Sequence, residues 1–335
     1  MIDMHTITLI NGDGIGAEVI PCAEKVLVAM NLPLTLRYAE AGFSTFEKTG
    51  DALPPETINL CETSDAVLFG ATQSPMEKVE GYISPILNLR QRFNLYANLR
   101  PAVSLSTETA GTRHVGRLHD QIDLLVVREN TEGMYSGRER VEDDGKVAIL
   151  ERVITAEASE RITRVACKWA TARRKHLTVV HKANVLKETC GLFRRVALAT
   201  ASVYPDLTVE EMLVDAAAMH LVQSPTRFDV IVTTNLFGDI LSDLVAGLTG
   251  GLGLAPSANV GDGHMAVFEP VHGSAPDIAG QGIADPRATL LSVVMMLDYL
   301  DYTDDAERLR RVVYATPHTG NTVGTTDAVL TKLAV

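Results

Sequence analysis

The stretch that decides the fold is "HTITLINGDGIGAEVI", residues 5–20, in which an apolar run leads through a glycine-rich turn into a helical pattern. The apolar run is typical of a buried strand, and the spacing after the turn predicts a helix over residues 18–29. A second apolar run, "LTLRYAE", follows at residues 34–40. A strand, a helix and another strand in this order predict a β-α-β unit with parallel strands.

The same alternation continues along the chain. Further strand-like runs are "DAVLFG" (65–70), "IDLLVVREN" (122–130), "KHLTVVHKAN" (175–184), "LTVEEMLVD" (207–215) and "FDVIVTTN" (228–235). Strands that alternate with helices predict an α/β fold with a largely parallel sheet. Residues 136–154, "SGRERVEDDGKVAILERVI", interrupt the pattern and predict a β-hairpin. Apolar spacing then predicts an amphipathic helix over residues 155–172, with Trp169 in the core.

Composition excludes several classes of function. The 335 residues are 46% hydrophobic and carry a net charge of -12, which disfavours nucleic acid and anionic membranes as partners. The first residues lack the basic and apolar regions of a secretory signal, and no apolar run is long enough to span a membrane, so we expect a cytoplasmic protein. The four cysteines are scattered without a C-x-x-C pair, which favours buried thiols over disulfides or a zinc site.

The glycine turn has the spacing G-x-G-x-x-A at Gly12, Gly14 and Ala17. Such a turn lets backbone amides approach a pyrophosphate in dinucleotide-binding folds. It also occurs where a strand-to-helix turn needs positive φ, and a lone match favours this second interpretation. The acid expected about 20 residues further on has only Glu40 as a candidate. On these residues alone, both interpretations stay open.

Two carboxylates lie four residues apart in the apolar, helical pattern "NLFGDILSDLVAGL", residues 235–248. Asp239 and Asp243 therefore share one helix face, and buried like charges need a metal or a basic partner. A third acid, Asp215, ends a strand-like run. Carboxylates without nearby cysteine or paired histidine suit Mg²⁺ or Mn²⁺ rather than zinc. A solvated acidic helix face is the alternative.

Arginines supply the complementary charge. Arg90 and Arg100 flank "QRFNLYANL", and Arg128 ends an apolar strand. An arginine at the carboxyl end of a strand lies where α/β proteins bind ligands, and its guanidinium matches a carboxylate. Tyr135 follows a glycine-containing turn and Lys182 follows another strand, so both are candidates for proton transfer. Surface ion pairs, a core tyrosine and a surface lysine are the alternatives.

Residues 267–286, "VFEPVHGSAPDIAGQGIADP", are rich in glycine and proline and predict a rigid loop, neither helix nor strand. Exposed His272, Ser274 and Asp277 are placed to frame a nucleotide. Asp277 has the chemistry to accept hydrogen bonds from an adenosine ribose and to repel a 2'-phosphate.

Several motifs together identify a family. In chain order they are "NGDGIG", "NLYANLRP", "VRENTEGMY", "HKANV", "TTNLFGDILSDL" and "FEPVHGSAPDIAG". This combination spans nearly the whole chain and resembles the β-hydroxyacid oxidative decarboxylases, which are the isocitrate, homoisocitrate and 3-isopropylmalate dehydrogenases. In that family the first glycine turn is not a Rossmann fingerprint. The cofactor is held largely by a loop that matches "HGSAPDIAG".

The resemblance implies an isopropylmalate dehydrogenase-like fold of two α/β domains with a mixed, largely parallel sheet. A large cofactor-side domain would comprise residues 1–98 and 252–335. A small dimerisation domain would comprise residues 99–251, with the hairpin at 136–154 as a clasp to a second subunit. The resemblance also implies a homodimer with active sites in shared clefts, where Lys182 and Asp215 come from the neighbouring chain.

The resemblance further implies a role for each motif residue. Substrate carboxylates would be bound by Ser84, Arg90, Arg100 and Arg128. The divalent ion, Mg²⁺ or Mn²⁺, would be held by Asp239, Asp243 and the neighbouring chain's Asp215. The cofactor would be bound by Thr72, Asn235, Glu269, His272, Gly273, Ser274, Ala275, Asp277, Ile278 and Asn321.

The same resemblance implies the chemistry. Lys182, directly or through water and Asp215, would remove the hydroxyl proton while hydride passes to the nicotinamide. The resulting β-keto acid would lose CO₂, and Tyr135 would return a proton to carbon. Asp277 and Ile278 match the members that use NAD⁺, whereas members that use NADP⁺ commonly place Lys-Tyr there.

Substrate choice in this family depends on the segment before Arg90, here "GYISPILNLR", residues 81–90. Ser84 matches the serine with which isocitrate-using relatives bind a carboxylate. Those relatives usually have Asn where this chain has Ile86, and some homoisocitrate enzymes have Arg in place of Leu87. We therefore favour isocitrate, a substrate of the tricarboxylic acid cycle, with homoisocitrate close behind and 3-isopropylmalate least favoured.

Two other classes of function remain. A non-catalytic regulatory subunit is one, although the retained tyrosine, lysine, arginines and aspartates favour catalysis. A true Rossmann dehydrogenase of an unrelated 2-hydroxy acid is the other, and it predicts turnover without a divalent metal.

Overall fold

The computed structural model describes residues 4–104 and 121–335. Strands β1 to β12 are, in chain order, His5–Gly12, Leu34–Ala39, Ala66–Ala71, Ala97–Val103, Asp123–Glu129, Glu139–Glu142, Val147–Leu150, His176–His181, Thr208–Leu213, Val230–Thr233, Pro256–Val260 and Ala266–Pro270. Helices α1 to α11 are Gly16–Met30, Phe43–Thr49, Pro55–Glu62, Pro85–Arg92, Ala156–Ala172, Thr189–Ala201, Val214–Gln223, Asn235–Thr249, Arg287–Tyr299, Thr303–Tyr314 and Thr322–Leu333.

The described residues form two compact units. Unit 1 contains residues 4–95 and 250–335, and unit 2 contains residues 96–104 and 121–249. The family resemblance sets the domain boundaries at residues 98 and 252. The small domain it implies also includes residues 105–120, which lie outside the described residues.

Unit 1 is built on strands in the order β2-β1-β3-β12-β11. Pairing is parallel from β2 through β12, and β11 runs antiparallel to β12. Every residue of β3 is buried, which is the pattern of a strand covered on both faces. The opening stretch of the sequence forms β1 and α1 of this unit, as its pattern predicts.

Unit 2 is built on strands in the order β4-β5-β10-β8-β9. Strand β4 is antiparallel to β5, and the other pairings are parallel. Because parallel strands end at the same edge of a sheet, residues at their carboxyl ends and directly after them come together there. These residues are Arg128 in β5, Asn235 after β10, Lys182 after β8 and Asp215 after β9.

The predicted α/β fold with a mixed, mostly parallel sheet is confirmed. The hairpin also forms, with β6 antiparallel to β7 and Asp143 and Asp144 at positive φ in the turn. Helix α5 begins after Thr155, whose hydroxyl accepts a hydrogen bond from Ala158 N as an N-cap. The four cysteines are free and buried, as expected. None of the helices described is long and apolar enough to cross a membrane.

Two expectations about local structure are wrong. Trp169 is 42% exposed, because the buried face of α5 is made of Ile162, Cys167 and small residues instead. The segment 267–286 is not loop throughout, since its first residues belong to β12, which pairs with β3 and β11. Pro270 does not prevent this pairing, because it is the last residue of β12.

Candidate active site

Asp239 is the centre of a polar cluster in unit 2. Its Oδ1 contacts Nη1 of Arg128 directly and lies 3.2 Å from Nη1 of Arg100. Its Oδ2 accepts a hydrogen bond of 2.8 Å from the Tyr135 hydroxyl. Asp243 lies one turn further along α8, so the predicted pair of acids shares one helix. The cluster brings together two arginines, two aspartates and a tyrosine that the sequence singled out separately.

Arg128 is held in one orientation inside the protein. Its side chain is 2% exposed, and Nε and Nη2 donate to Oδ1 of Asn235 at 3.1 and 2.7 Å. The Nδ2 atom of Asn235 donates in turn to the Glu132 carbonyl at 3.1 Å. A Cβ at Gly238 would lie 2.6 Å from Cγ of Arg128, so only glycine leaves room for this side chain. Asn235 thus orients Arg128, a role that sequence reasoning did not assign to it.

Arg100 faces both aspartates from the antiparallel strand β4. Its side chain is 8% exposed, and Nη1 reaches Oγ of Ser242 at 2.7 Å and Oδ1 of Asp243 at 3.4 Å. Its Nε donates to Oδ1 of Asn98 at 2.6 Å. Partial burial raises the pKa of Asp243, an effect that Arg100 opposes and Asp239 reinforces. The two arginines therefore do not fully compensate the charge of this carboxylate.

Lys182 and Asp215 form a separate ion pair at the same sheet edge, with Nζ 2.6 Å from Oδ1. The hydrogen bond from Lys182 lowers the pKa of Asp215, whose side chain is 65% exposed. Within the residues described, Asp215 does not join Asp239 and Asp243 in a group of three acids that could hold one ion.

The donor set on α8 fits a hard divalent cation. Asp239 and Asp243 offer carboxylate oxygens from one helix face, and Mg²⁺ and Mn²⁺ prefer such ligands. These ions usually leave several coordination positions to water or substrate, so one or two protein carboxylates can suffice as ligands.

In unit 1, Arg90 is buried at the end of α4 and pairs with Glu269, with Nη2 2.9 Å from Oε1. The same oxygen accepts a hydrogen bond from Asn259 at 2.8 Å. The Nε atom of Arg90 is buried without a hydrogen-bond partner among the described residues. An unused donor on a buried guanidinium is typical of a site that receives an anion. Ser84 is the N-cap residue of α4, but its side chain makes no capping hydrogen bond.

The glycine turn supports the candidate cofactor loop. Ile15 N donates to the Ser274 carbonyl at 2.9 Å, and Asp13 N donates to the Ala71 carbonyl at 2.7 Å. A Cβ at Gly14 would lie 2.0 Å from the same Ser274 oxygen. The turn therefore uses its amides and its missing side chains to pack against neighbouring backbone. This packing explains the glycines without a pyrophosphate and agrees with the interpretation that the lone motif favours.

The loop of residues 271–286 contains an acceptor that is ready for a ligand. Nδ1 of His272 lies 3.0 Å from the Gly273 carbonyl, and a carbonyl only accepts, so Nδ1 carries the proton. Burial lowers the pKa of His272, which disfavours the charged form of the ring. Its Nε2 is buried and has no partner among the described residues. This acceptor fits a hydrogen-bond donor such as the exocyclic amino group of a nucleobase, which is one part of a nicotinamide dinucleotide.

The other predicted cofactor residues are in varied settings. Ser274 is buried and His272 is half-buried, whereas both were expected to be exposed; the Ser274 carbonyl packs on the glycine turn. Asp277 lies exposed, and Ile278 packs with Ile15 and Val19. Asn321 is the N-cap of α11, where Oδ1 accepts from Gly324 N at 2.7 Å. Thr72, Gly273 and Ala275 lie in unit 1, and Ala275 has a positive φ of 42°.

Sequence reasoning missed Glu132, which links the Asp239 cluster of unit 2 to Thr155, the N-cap residue of α5. Its carboxylate accepts hydrogen bonds from the Thr155 amide at 3.1 Å and the Thr155 hydroxyl at 2.9 Å. Partial burial, with a smaller contribution from Glu129, raises its pKa to about 7. Its place in "ENTEGMY", three residues before Tyr135, was the only available signal.

The raised pKa of Glu132 predicts a pH dependence of stability. The folded chain binds this proton more tightly than the unfolded chain, so the stabilisation is complete at low pH and is lost as pH rises through about 7. Solvent screening limits the effect to roughly 1 kcal/mol, or about 2 °C in Tm. Between pH 5.5 and 8.5, thermal unfolding of wild type should lose this much relative to Glu132→Gln. Glu157→Gln, in the exposed first turn of α5, is the control and should follow wild type; parallel curves for all three would contradict the assignment.

Comparison with known proteins places this arrangement in context. Residues 6–333 match the family described as isocitrate/isopropylmalate dehydrogenase. The isocitrate/homoisocitrate dehydrogenase of Thermus thermophilus is 54% identical over 310 residues, which is 92% of this chain and 90% of that protein. The 3-isopropylmalate dehydrogenase of Archaeoglobus fulgidus is 49% identical over 314 residues, covering 93% and 91%. The crystal structure of isocitrate dehydrogenase from Methylococcus capsulatus superposes with a TM-score of 0.93 at 41% identity, covering 99% of this chain and 100% of that one.

Proposed function

Because the chain belongs to the isocitrate/isopropylmalate dehydrogenase family of oxidative decarboxylating dehydrogenases, we propose that it is an NAD⁺-dependent isocitrate dehydrogenase. It would convert isocitrate to 2-oxoglutarate and CO₂. Members of the family bind small hydroxy acids and generally use NAD(P)⁺ and a divalent metal. The observation that carries the proposal is the cluster in which buried Arg128 and Arg100 face Asp239 and Asp243.

This cluster suits a substrate with several carboxylates. Arg128 and Arg100 have their guanidinium groups fixed by Asn235 and Asn98, so little side-chain entropy is lost when a carboxylate binds. Arg90 provides a further unused donor in unit 1, and Ser84 provides a hydroxyl that is not engaged in capping α4. We assign these four residues to substrate binding. A hydroxyl suits a third carboxylate better than an isopropyl group.

The proton steps are assigned to Lys182 and Tyr135. Lys182 would act as the base from its neutral amine form, directly or through water and Asp215, and the ammonium formed when it takes the hydroxyl proton would be held by the Asp215 carboxylate 2.6 Å away. When bound, NAD⁺ would supply the hydride acceptor for this oxidation. The β-keto acid then loses CO₂, and Tyr135, held by its hydrogen bond to Asp239, donates a proton to carbon.

Asp239 and Asp243 are assigned to hold Mg²⁺ or Mn²⁺. A bound ion of this kind stabilises the charge that develops on the carbonyl oxygen during decarboxylation. Asp215 is the third assigned ligand, supplied by the second copy of a homodimer together with Lys182. Its exposed carboxylate supports that assignment. We propose the cytoplasm as the site of action.

Homoisocitrate is the second candidate substrate. Its extra methylene would lie beside the segment that contains Ser84, where Ile86 stands in place of the Asn usual in isocitrate-using relatives. The name of the Thermus thermophilus relative includes homoisocitrate beside isocitrate. One methylene changes discrimination by only about 10- to 200-fold, so both substrates must be compared directly.

The test is a substrate panel with the purified full chain. We expect kcat/KM with NAD⁺ to be highest for isocitrate, lower for homoisocitrate and lowest for 3-isopropylmalate. Turnover should stop in EDTA and return with Mg²⁺ or Mn²⁺. Turnover that survives chelation would contradict the assigned metal requirement, and binding of isocitrate without NAD⁺ reduction would favour a regulatory subunit.

Cofactor choice gives a second prediction. A carboxylate at Asp277 repels a 2'-phosphate, so exchanging it for a cation should remove the barrier to NADP⁺. The double variant Asp277→Lys, Ile278→Tyr is expected to shift the ratio of kcat/KM for NAD⁺ over NADP⁺ toward NADP⁺ by about 100-fold or more. Steady-state kinetics with both cofactors measures the ratio. Asp262→Lys, in the turn between β11 and β12, adds the same charge elsewhere in unit 1 and should leave it unchanged.

A further inference from the structure

The segment between β3 and α4 contains Ser84, yet much of it is not held by burial. Met76 is fully exposed and Ile83 is 62% exposed. One side chain closes the segment on itself, because the Tyr82 hydroxyl donates to the Gln73 carbonyl at 2.8 Å. Residues 73–82 thus form a loop whose ends are joined by a hydrogen bond directly before Ser84.

The Tyr82 ring is anchored at the same time. It packs edge-on against Phe43 and Phe46 of α2, with ring centroids 5.5 and 5.4 Å away. Such edge-to-face contacts are directional as well as apolar. The ring therefore fixes where the loop lies on unit 1, and the hydroxyl fixes how it closes.

A buried carboxylate holds both parts of this anchor. Asp13, in the glycine turn, accepts hydrogen bonds from the amides of Phe43 at 2.7 Å, Ser44 at 2.9 Å and Gln73 at 2.9 Å. A Cβ at Gly42 would lie 2.5 Å from its Oδ2. Asp13 therefore fixes the start of α2, which carries the aromatic platform, and also the residue to which Tyr82 bonds.

We propose that Tyr82, supported by Asp13, is the positioning residue that sets Ser84 for recognition of the third carboxylate of the substrate. Tyr82 itself does not need to touch substrate, since Ser84 follows it by two residues and begins α4. The proposal rests on the proposed function, because it names the device by which that site selects a tricarboxylic hydroxy acid.

The test is Tyr82→Phe, which keeps the ring and removes only the hydroxyl that closes the loop. We expect KM for isocitrate to rise about fivefold, with kcat and KM for NAD⁺ unchanged, because one hydrogen bond of ordinary strength is lost. Tyr38→Phe is the matched control. Its hydroxyl donates to Glu24 at 2.7 Å elsewhere in unit 1 and should have no effect on KM.

A double-mutant cycle with Ser84→Ala separates positioning from general structural damage. If Tyr82 acts through Ser84, then Tyr82→Phe should add no further increase in KM to the Ser84→Ala enzyme. An equal increase in both backgrounds, or a lower kcat with an unchanged KM, would overturn the proposal. Lack of turnover by the wild-type chain with every hydroxy acid in the panel would instead overturn the proposed function, so the two failures are distinguishable.

Discussion

Asp239→Asn is expected to lower kcat/KM for isocitrate by about 1,000-fold. The carboxylate is assigned to the divalent ion, and losing a metal ligand removes several kcal/mol of transition-state stabilisation, with about 1.4 kcal/mol for each factor of ten. Asparagine keeps an acceptor oxygen for Arg128, and its amide NH₂ can donate to the Tyr135 hydroxyl, so the cluster should remain assembled. Because the ion loses a charged ligand, the activation constant for Mn²⁺ should rise as kcat/KM falls. Titration of activity with Mn²⁺ measures both quantities.

Asp298→Asn is the matched control for this prediction. Asp298 is also a helical aspartate paired with an arginine, Arg310, and its side chain is 37% exposed against 33% for Asp239. A pair of this kind contributes less than about 1 kcal/mol to stability. Its loss should change neither kcat/KM nor the Mn²⁺ requirement. If Asp239→Asn kept a tenth of wild-type activity with an unchanged Mn²⁺ constant, Asp239 would not be a metal ligand.

The sequence predicted those parts of the fold and site that depend on local patterns. Strand and helix positions follow from hydrophobic periodicity. Asp239 and Asp243 share one face of α8 because their spacing is close to one helical turn. Arg128 could be singled out because burying a charged side chain at the end of an apolar strand is unfavourable unless the charge has a partner. These inferences require no knowledge of which segments meet in space.

Contacts between distant segments were beyond such reasoning. The side-chain contact between Asn235 and Arg128 joins residues 107 positions apart, and no periodicity relates them. The packing of Gly14 on Ser274 likewise depends on a loop some 260 residues later. Trp169 was misplaced for a related reason, since a helical pattern indicates an apolar face but not how much of its border a neighbouring element covers.

Lys182→Met is expected to reduce kcat for isocitrate oxidation by about 100- to 10,000-fold, the usual contribution of a general base. KM should change little, because Ser84 and the arginines assigned to substrate binding are untouched. Lys187→Met is the control, five residues further along the chain, and should retain full activity. The measurement is kcat from NADH formation at saturating isocitrate.

A second variant separates proton transfer from the ion pair with Asp215. Arg at position 182 preserves the positive charge and the ability to pair, but a guanidinium does not give up its proton in a protein. Lys182→Arg should therefore be as slow in oxidation as Lys182→Met. Both variants should still decarboxylate the β-keto acid oxalosuccinate when it is supplied directly, because Tyr135 and Asp239 remain in place. Tyr135→Phe should show the opposite defect. Full oxidation by Lys182→Arg would mean that Lys182 contributes only its charge, and the base would have to be sought elsewhere in the site.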